Sequence, residues 1–219
     1  MLQNNDRTLR IATLGRLQVV REGRVLSSEC RRASRVWELF KYLVTNRGRD
    51  IPSDTLIDML WEDDQPDDPE RALRNLVYRL RHVLDPEGSS PSLHIVLSRG
   101  FYQFNTSADY WLDTEEFEQK RVQAKNLSRT DPLASIQLYK GCLSLYKGEY
   151  LPGQVYADWI LPARNYYRRL FLQTVLDYLA LLKTMDDLPA IREVCEDHQT
   201  HCGPLPKGVP CQVVSSMMV

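Results

Sequence analysis

No stretch of the 219 residues approaches the ~18 consecutive apolar residues of a membrane-spanning helix. The opening residues, Met1 to Asp6, are polar and lack the apolar core of a secretory signal. A cytoplasmic chain with no membrane partner is therefore expected. Neither sign of charge is in excess: 28 Lys and Arg against 29 Asp and Glu leave a net charge of −1. The five cysteines are odd in number, and the length and polar start argue against a disulfide framework. There is no phosphate-binding glycine loop, no nucleophile elbow and no metalloprotease helix. No enzyme is expected, and with it no catalytic residue, cofactor or metal.

Two cysteine settings need weighing. Cys30 lies among Arg31, Arg32 and Arg35, whose charges would lower a thiol pKa and make it reactive. An ordinary structural or surface cysteine is the preferred account. Cys195, His198, His201 and Cys202 crowd together, but zinc sites usually use two spaced pairs, and His201 and Cys202 are adjacent. A reduced helix end with scattered thiols is preferred.

The composition that remains, 43% hydrophobic and 26% charged, is that of an ordinary globular protein of one to two domains. The charge distribution says more than the sum. Residues 1–104 carry 16 cations, of which only Lys41 is a lysine, against 15 acids. Six of those acids fall between Glu62 and Glu70. Outside that run the first half is basic and rich in arginine, whose planar fork of donors suits phosphate and guanine. A plain salt-laced surface would show the same balance.

Residues 9–14 alternate in β fashion, Gly15-Arg16 turns the chain, Leu17 to Val20 forms a second strand, and Gly23 leads to Val25-Leu26. Helical spacing follows over 34–46, with Val36, Phe40, Leu43 and Val44 on one face, Trp37 beside them, Ser34 as N-cap and Gly48 as terminator. After an extended Ile51-Pro52 link, Ser53 caps a second helix carrying Leu56, Ile57, Leu60 and Trp61. The acidic stretch Glu62–Asp68 is a loop. Asp68-Pro69 is an N-cap and N1 pair that opens a third helix to about Leu84.

On a helical wheel Leu73, Leu76, Val77, Leu80, Val83 and Leu84 make the third helix's buried stripe. Arg71, Arg74, Asn75, Tyr78 and Arg81 or His82 lie towards the opposite side. Such a face fits a DNA major groove, where Arg reads guanine, Asn reads adenine and Tyr bonds phosphate. A solvated amphipathic helix has the same pattern. After a turn-rich break at Asp85–Pro91, His94–Leu97 and Phe101–Phe104 flank Ser98-Arg99-Gly100 as a hairpin with a basic tip. Three helices followed by such a hairpin is the layout of a winged helix, which places the third helix where a recognition helix belongs.

Beyond Phe104 the polar link Asn105–Tyr110 marks a domain boundary. Leu112-Asp113 begins a helix with Phe117. Asp131-Pro132 caps another, with Ile136, Tyr139, Leu143 and Tyr146 at helical spacing. A long helix is expected from Asp158 to Met185 with Pro162 in its first turns, and one more from Leu188 to about His198. Antiparallel helical pairs of this kind point to a helical-repeat stack. The expected fold is an α+β winged helix-turn-helix domain at 1–106 and an all-α, tetratricopeptide-like (TPR-like) helical-repeat domain at 107–202. A disordered tail is expected at 203–219.

The strings Leu9-Arg10-Ile11 with Leu14-Gly15, Leu56–Trp61, Ala72-Leu73 through Arg79-Leu80-Arg81, and Ser98–Tyr102 resemble the OmpR-type winged-helix DNA-binding domain. The version they are most like is that of bacterial antibiotic-regulatory-type activators. Asp113 with Phe117, Tyr146–Leu151, and Trp159 with Arg164 resemble that family's bacterial transcriptional activator domain. The resemblance covers about residues 9–200. It implies a transcription factor whose third helix enters the major groove of double-stranded DNA while the wing near Arg99 touches the minor groove or backbone. It also implies binding to direct repeats as a homodimer on DNA, contact with RNA polymerase, and a helical domain that aids both. Arg71, Arg74, Asn75 and Tyr78 are the expected base or groove contacts. Arg79, Arg81 and Arg99 are the expected phosphate or wing contacts, with Arg79 nearest the buried stripe.

Two departures from the family stand out. The activator domain usually continues through further helices, whereas here it stops near His201, so a shortened helical domain is expected. The acidic loop Glu62–Glu70 beside the third helix either faces polymerase or repels phosphate. The competing function is a protein-interaction module in which TPR-like helices bind a partner and the first domain is a degenerate scaffold.

Overall fold

Alternation along Leu9–Ala12 (β1) sends Leu9 and Ile11 inward and Arg10 outward. β1 pairs antiparallel with Gln18–Arg21 (β2), with Ile11 opposite Val19, and β2 pairs with Arg24–Val25 (β3). Glu22 and Gly23 connect β2 to β3 with φ of 50° and 73°, the two left-handed positions of a type I′ hairpin turn. A fourth strand, Tyr110–Leu112 (β7), lies parallel to β1, giving the order β3-β2-β1-β7. The computed structural model describes residues 8–27, 34–62, 65–85, 94–153 and 158–201, with side chains described from Arg35 to Val194 within those ranges after the first. Cys30, Asp63, Asp64, the break at 86–93, the side chains of Ser34, Cys195, His198 and His201, Cys202, and the tail 203–219 lie outside it.

Three helices cover the sheet: Ser34–Thr45 (α1), Ser53–Leu60 (α2) and Pro69–Leu84 (α3). A second sheet combines Ile51–Pro52 (β4), Ile95–Ser98 (β5) and Phe101–Phe104 (β6) in the order β4-β6-β5. The expected apolar faces meet in one core. Trp37, Phe40, Leu43 and Val44 of α1 join Leu56 and Leu60 of α2, Leu73, Val77 and Leu80 of α3, and Tyr102 and Phe104 of β6. Phe40 sits edge-on to Trp37 at 5.4 Å and to Phe104 at 6.3 Å between ring centroids. This is the winged-helix arrangement expected from the order of elements.

Ser53 does not cap α2. It is the helix's first residue, Pro52 occupies the cap position, and no side chain caps the helix. The Ser53 hydroxyl instead donates to the Gly100 carbonyl at 3.2 Å, because β4 pairs Pro52 with Phe101 and so brings the wing turn alongside.

The chain divides into two compact units, Met1–Glu115 with Tyr150–Asn165, and Glu116–Glu149 with Tyr166–Val219. This differs from a boundary after residue 106, for two physical reasons. β7 completes the first sheet, and the return segment is held to it by a bridge from Tyr150 to Leu14 and by the Leu151 N–H donating to the Thr13 carbonyl at 2.8 Å. Arg164 secures the same segment by donating to the Tyr150 and Leu151 carbonyls at 3.0 and 2.7 Å. Within the first unit, Asp113 is only 2% exposed. Its carboxylate accepts from the Thr13 N–H (2.6 Å), the Thr13 hydroxyl (2.7 Å), and the Leu14 and Thr114 N–H groups (both 2.8 Å). Burial pushes its carboxyl above the ordinary value, and these bonds oppose that shift without cancelling it.

The second unit is helical. Its elements are Asp113–Leu127 (α4, from Glu116), Pro132–Leu145 (α5), Leu161–Thr184 (α6, from Tyr166) and Leu188–His201 (α7). Asp131 caps α5 by accepting from the Ala134 N–H at 3.0 Å, with Pro132 at N1. The core stacks Tyr139 on Tyr178 at 5.6 Å and Tyr146 on Phe171 at 4.1 Å. Arg121 pairs with Asp177 at 3.1 Å to tie α4 to α6. The long helix begins at Leu161 rather than Asp158, because Asp158–Ile160 winds as a 3₁₀ turn. Among the described residues no helix is long and apolar enough to cross a membrane.

Candidate nucleic-acid interface

α3 is built as its sequence demands. Asp68 accepts from the Arg71 N–H at 2.9 Å, and Pro69 sits in the first turn, where its missing N–H costs nothing. Leu73, Leu76, Val77, Leu80 and Leu84 are buried, while Val83 is half-buried. At about 100° per residue, the direction opposite that stripe belongs to Arg71, Tyr78, His82 and Asn75. All four are exposed, Tyr78 at 71%. A tyrosine left that bare in mid-helix contributes little to the fold.

Arg74 lies on one flank of that face, exposed, with its guanidinium 3.1 Å from the Glu70 carboxylate one turn earlier. Arg79 lies on the other flank. It is exposed, and on the 100° wheel it lies farther from the buried stripe than Arg81, so the expectation that it sits nearest that stripe does not hold. Arg81 is different, since its Nε donates to the Ile95 carbonyl at 3.1 Å and it is half-buried. Arg81 thus fastens α3 to the wing strand, and His82 is the exposed member of the pair that the sequence left open. The 100° wheel already separates the two, with His82 opposite the buried stripe and Arg81 beside it.

The wing hairpin turns at Arg99 and Gly100, with φ of 53° and 84°. Both residues are left-handed, which defines a type I′ turn and aligns Ser98 with Phe101. Arg99 is exposed at the tip. Buried Tyr102 lies behind the hairpin, within electrostatic reach of Arg81, Arg74 and Glu70. Burial, more than those charges, raises its hydroxyl above the usual phenol range. The structure therefore brings Arg74, Arg81 and the wing to one side of α3, with Arg71, Asn75 and Tyr78 facing outward.

The far end of α3 is anchored. Arg21 of β2 donates to the Leu84 carbonyl at 2.8 Å and pairs with Asp85 at 3.4 Å, with both side chains nearly buried. The Asp85 N–H donates to the Arg81 carbonyl at 2.9 Å and closes the helix. Buried His94 lies beside this pair, its Nε2 donating to the Asp109 carbonyl at 3.3 Å. Burial lowers its pKa first, and the Arg21 charge adds to that, while the Asp109 carbonyl and the Asp85 and Asp109 carboxylates oppose it. These residues give no sequence signal as a group, since they come from β2, the end of α3 and the start of β5.

Among the described residues no group of His, Cys, Asp and Glu is placed to hold a metal ion. Cys142 is buried, its thiol pushed up to about 12 by burial, which leaves it a poor nucleophile.

Residues 27–103, from the end of the first hairpin through α1, α2, α3 and most of the wing, match the family model described as "Transcriptional regulatory protein, C terminal". No curated protein matches the chain in sequence. Among solved structures, Mycobacterium tuberculosis EmbR in complex with a low-affinity phosphopeptide is similar, with a TM-score of 0.75 and 17% identity, over 88% of this chain and 50% of that chain. The chain thus spans about half the length of the EmbR chain it matches, and at that identity the likeness is one of fold. The matched region and the shared fold support a DNA-binding transcriptional regulator with a winged helix of the OmpR/PhoB type.

Proposed function

We propose that this chain is a sequence-specific transcriptional activator that reads direct repeats in double-stranded DNA. α3 enters the major groove, and Arg71, Arg74, Asn75 and Tyr78 meet base edges or groove walls. Arg79 and Arg99 meet phosphates, with Arg99 delivered by the wing, while Arg81 holds the wing to the helix. The observation that carries this reading is the outward face of α3, where cations, an amide and a bare tyrosine stand opposite a fully buried stripe. The α4–α7 region is assigned the role of a TPR-like activator domain that supports pairing on DNA and contact with RNA polymerase. The proposed place of action is the cytoplasm.

A salt titration of duplex binding tests the assignment of individual residues. Arg74→Ala is expected to cost about 1–3 kcal/mol against the preferred sequence, with relaxed choice at one base pair. Arg99→Ala is expected to weaken all duplexes alike and to reduce the salt slope by about one. If Arg74→Ala leaves affinity and base preference unchanged, Arg74 is not a base-reading residue.

A further inference from the structure

The first turn of α3 carries one acid, on the flank that Arg74 occupies. Glu70 is the only acidic residue in the helix's first turn, and its carboxylate lies 3.1 Å from Arg74 Nη1. The two side chains are 68% and 57% exposed, so the pair contributes little to stability. On a surface that meets a polyanion, a carboxylate lowers affinity for every phosphate it approaches. Its placement instead fits discrimination between sequences.

We propose that Glu70 is a specificity-determining residue of the reading face, and this rests on the DNA-reading role proposed above. The carboxylate engages one terminal nitrogen of the Arg74 guanidinium. The Nε and second terminal nitrogen keep their donors, which form the edge that binds guanine O6 and N7 together. Arg74 is thereby aimed before DNA arrives, and less side-chain freedom is lost on binding. Both side chains stay open to solvent on the flank of α3 that Arg81 shares, where an arriving duplex can reach them. Glu70 itself finds no donor on a phosphate, so its part in recognition is to position Arg74. The partner the pair fits is a guanine whose O6 and N7 face Arg74. Backbone-only contacts are penalised by its charge.

The test uses the full chain with Glu70→Gln, Arg74→Ala and the double variant, each measured on a library-selected duplex and on a random duplex at one salt concentration. Glu70→Gln is expected to bind the random duplex more tightly and to lower the selected-to-random affinity ratio about tenfold. The lost preference falls at one or two adjacent base pairs. The double variant is expected to lose no more preference than Arg74→Ala alone, since Glu70 acts through Arg74. An unchanged ratio for Glu70→Gln, or losses that add in the double variant, would overturn the proposal and leave DNA reading intact. A wild-type chain that selects no sequence would overturn DNA reading itself, and this proposal with it.

Discussion

Replacing Arg21 with alanine removes the cation beneath the end of α3. Asp85 loses the Arg21 guanidinium, and the Leu84 carbonyl loses its Arg21 donor. Breaking a buried pair from one side costs about 3–5 kcal/mol, and an orphaned buried carbonyl about 1–3 kcal/mol. The two penalties overlap, since water entering the space left by the arginine relieves both. The expected loss is therefore about 3 kcal/mol, a large share of the ~5–15 kcal/mol that holds a domain folded. The assay is urea unfolding followed by tryptophan fluorescence. All four tryptophans, Trp37, Trp61, Trp111 and Trp159, lie in the first unit, so the signal isolates it from the helical unit. With a slope near ~2 kcal/mol/M the midpoint falls by about 1.5 M. Arg21→Met with Asp85→Leu is expected to recover most of that loss, because an apolar pair of similar volume replaces the buried charges without their desolvation. A midpoint shift under about 0.3 M for Arg21→Ala would refute the reasoning. So would a changed DNA preference in its folded fraction, since Arg21 does not lie on the reading face.

His94 has a lowered pKa in the folded state, mainly from burial. Its contribution to stability is then full above the unfolded value near ~6.5 and is lost as pH falls through the folded value. The difference in unfolding midpoint between wild type and His94→Gln is expected to change steadily below about pH 6.5 and to stay flat above it; a difference independent of pH would contradict the assignment. Asp113→Ala strands the Thr13 hydroxyl and the N–H groups of Thr13, Leu14 and Thr114. It is expected to cost about 3 kcal/mol in the same fluorescence assay, with Asp113→Asn between it and wild type. A loss below about 1 kcal/mol would show that water replaces the carboxylate.

Much of this architecture is written locally. The Asp68-Pro69 pair and the regular apolar stripe fix α3, the Arg99-Gly100 turn fixes the wing, and Asp131-Pro132 fixes the start of α5. What escapes local reading depends on distant partners. β7 joins the first sheet through parallel pairing with β1, about a hundred residues away in sequence, and three residues of polar-flanked sequence carry no sign of it. For the same reason Asp113 reads as a helix start rather than as an acceptor hub, and Tyr150–Asn165 reads as part of the helical half. On the reading face the wheel places Arg71, Arg74, Asn75 and Tyr78 outward without help. It also sets Arg81 beside the buried stripe, but the partner there, a backbone carbonyl of β5, is invisible to helical periodicity. Ser53 fails as a cap, its hydroxyl drawn to the wing turn.

The central claim is that α3 and the wing read a specific duplex, and selection from a random duplex library on the full chain at physiological salt tests it most directly. The account predicts enrichment of a short element repeated in the same orientation, its copies about one helical turn (~10–10.5 base pairs) apart. Enrichment of single, unrepeated elements would retain DNA reading and remove the paired state. No enrichment, with residual binding insensitive to salt, would contradict the account and favour a protein-interaction module.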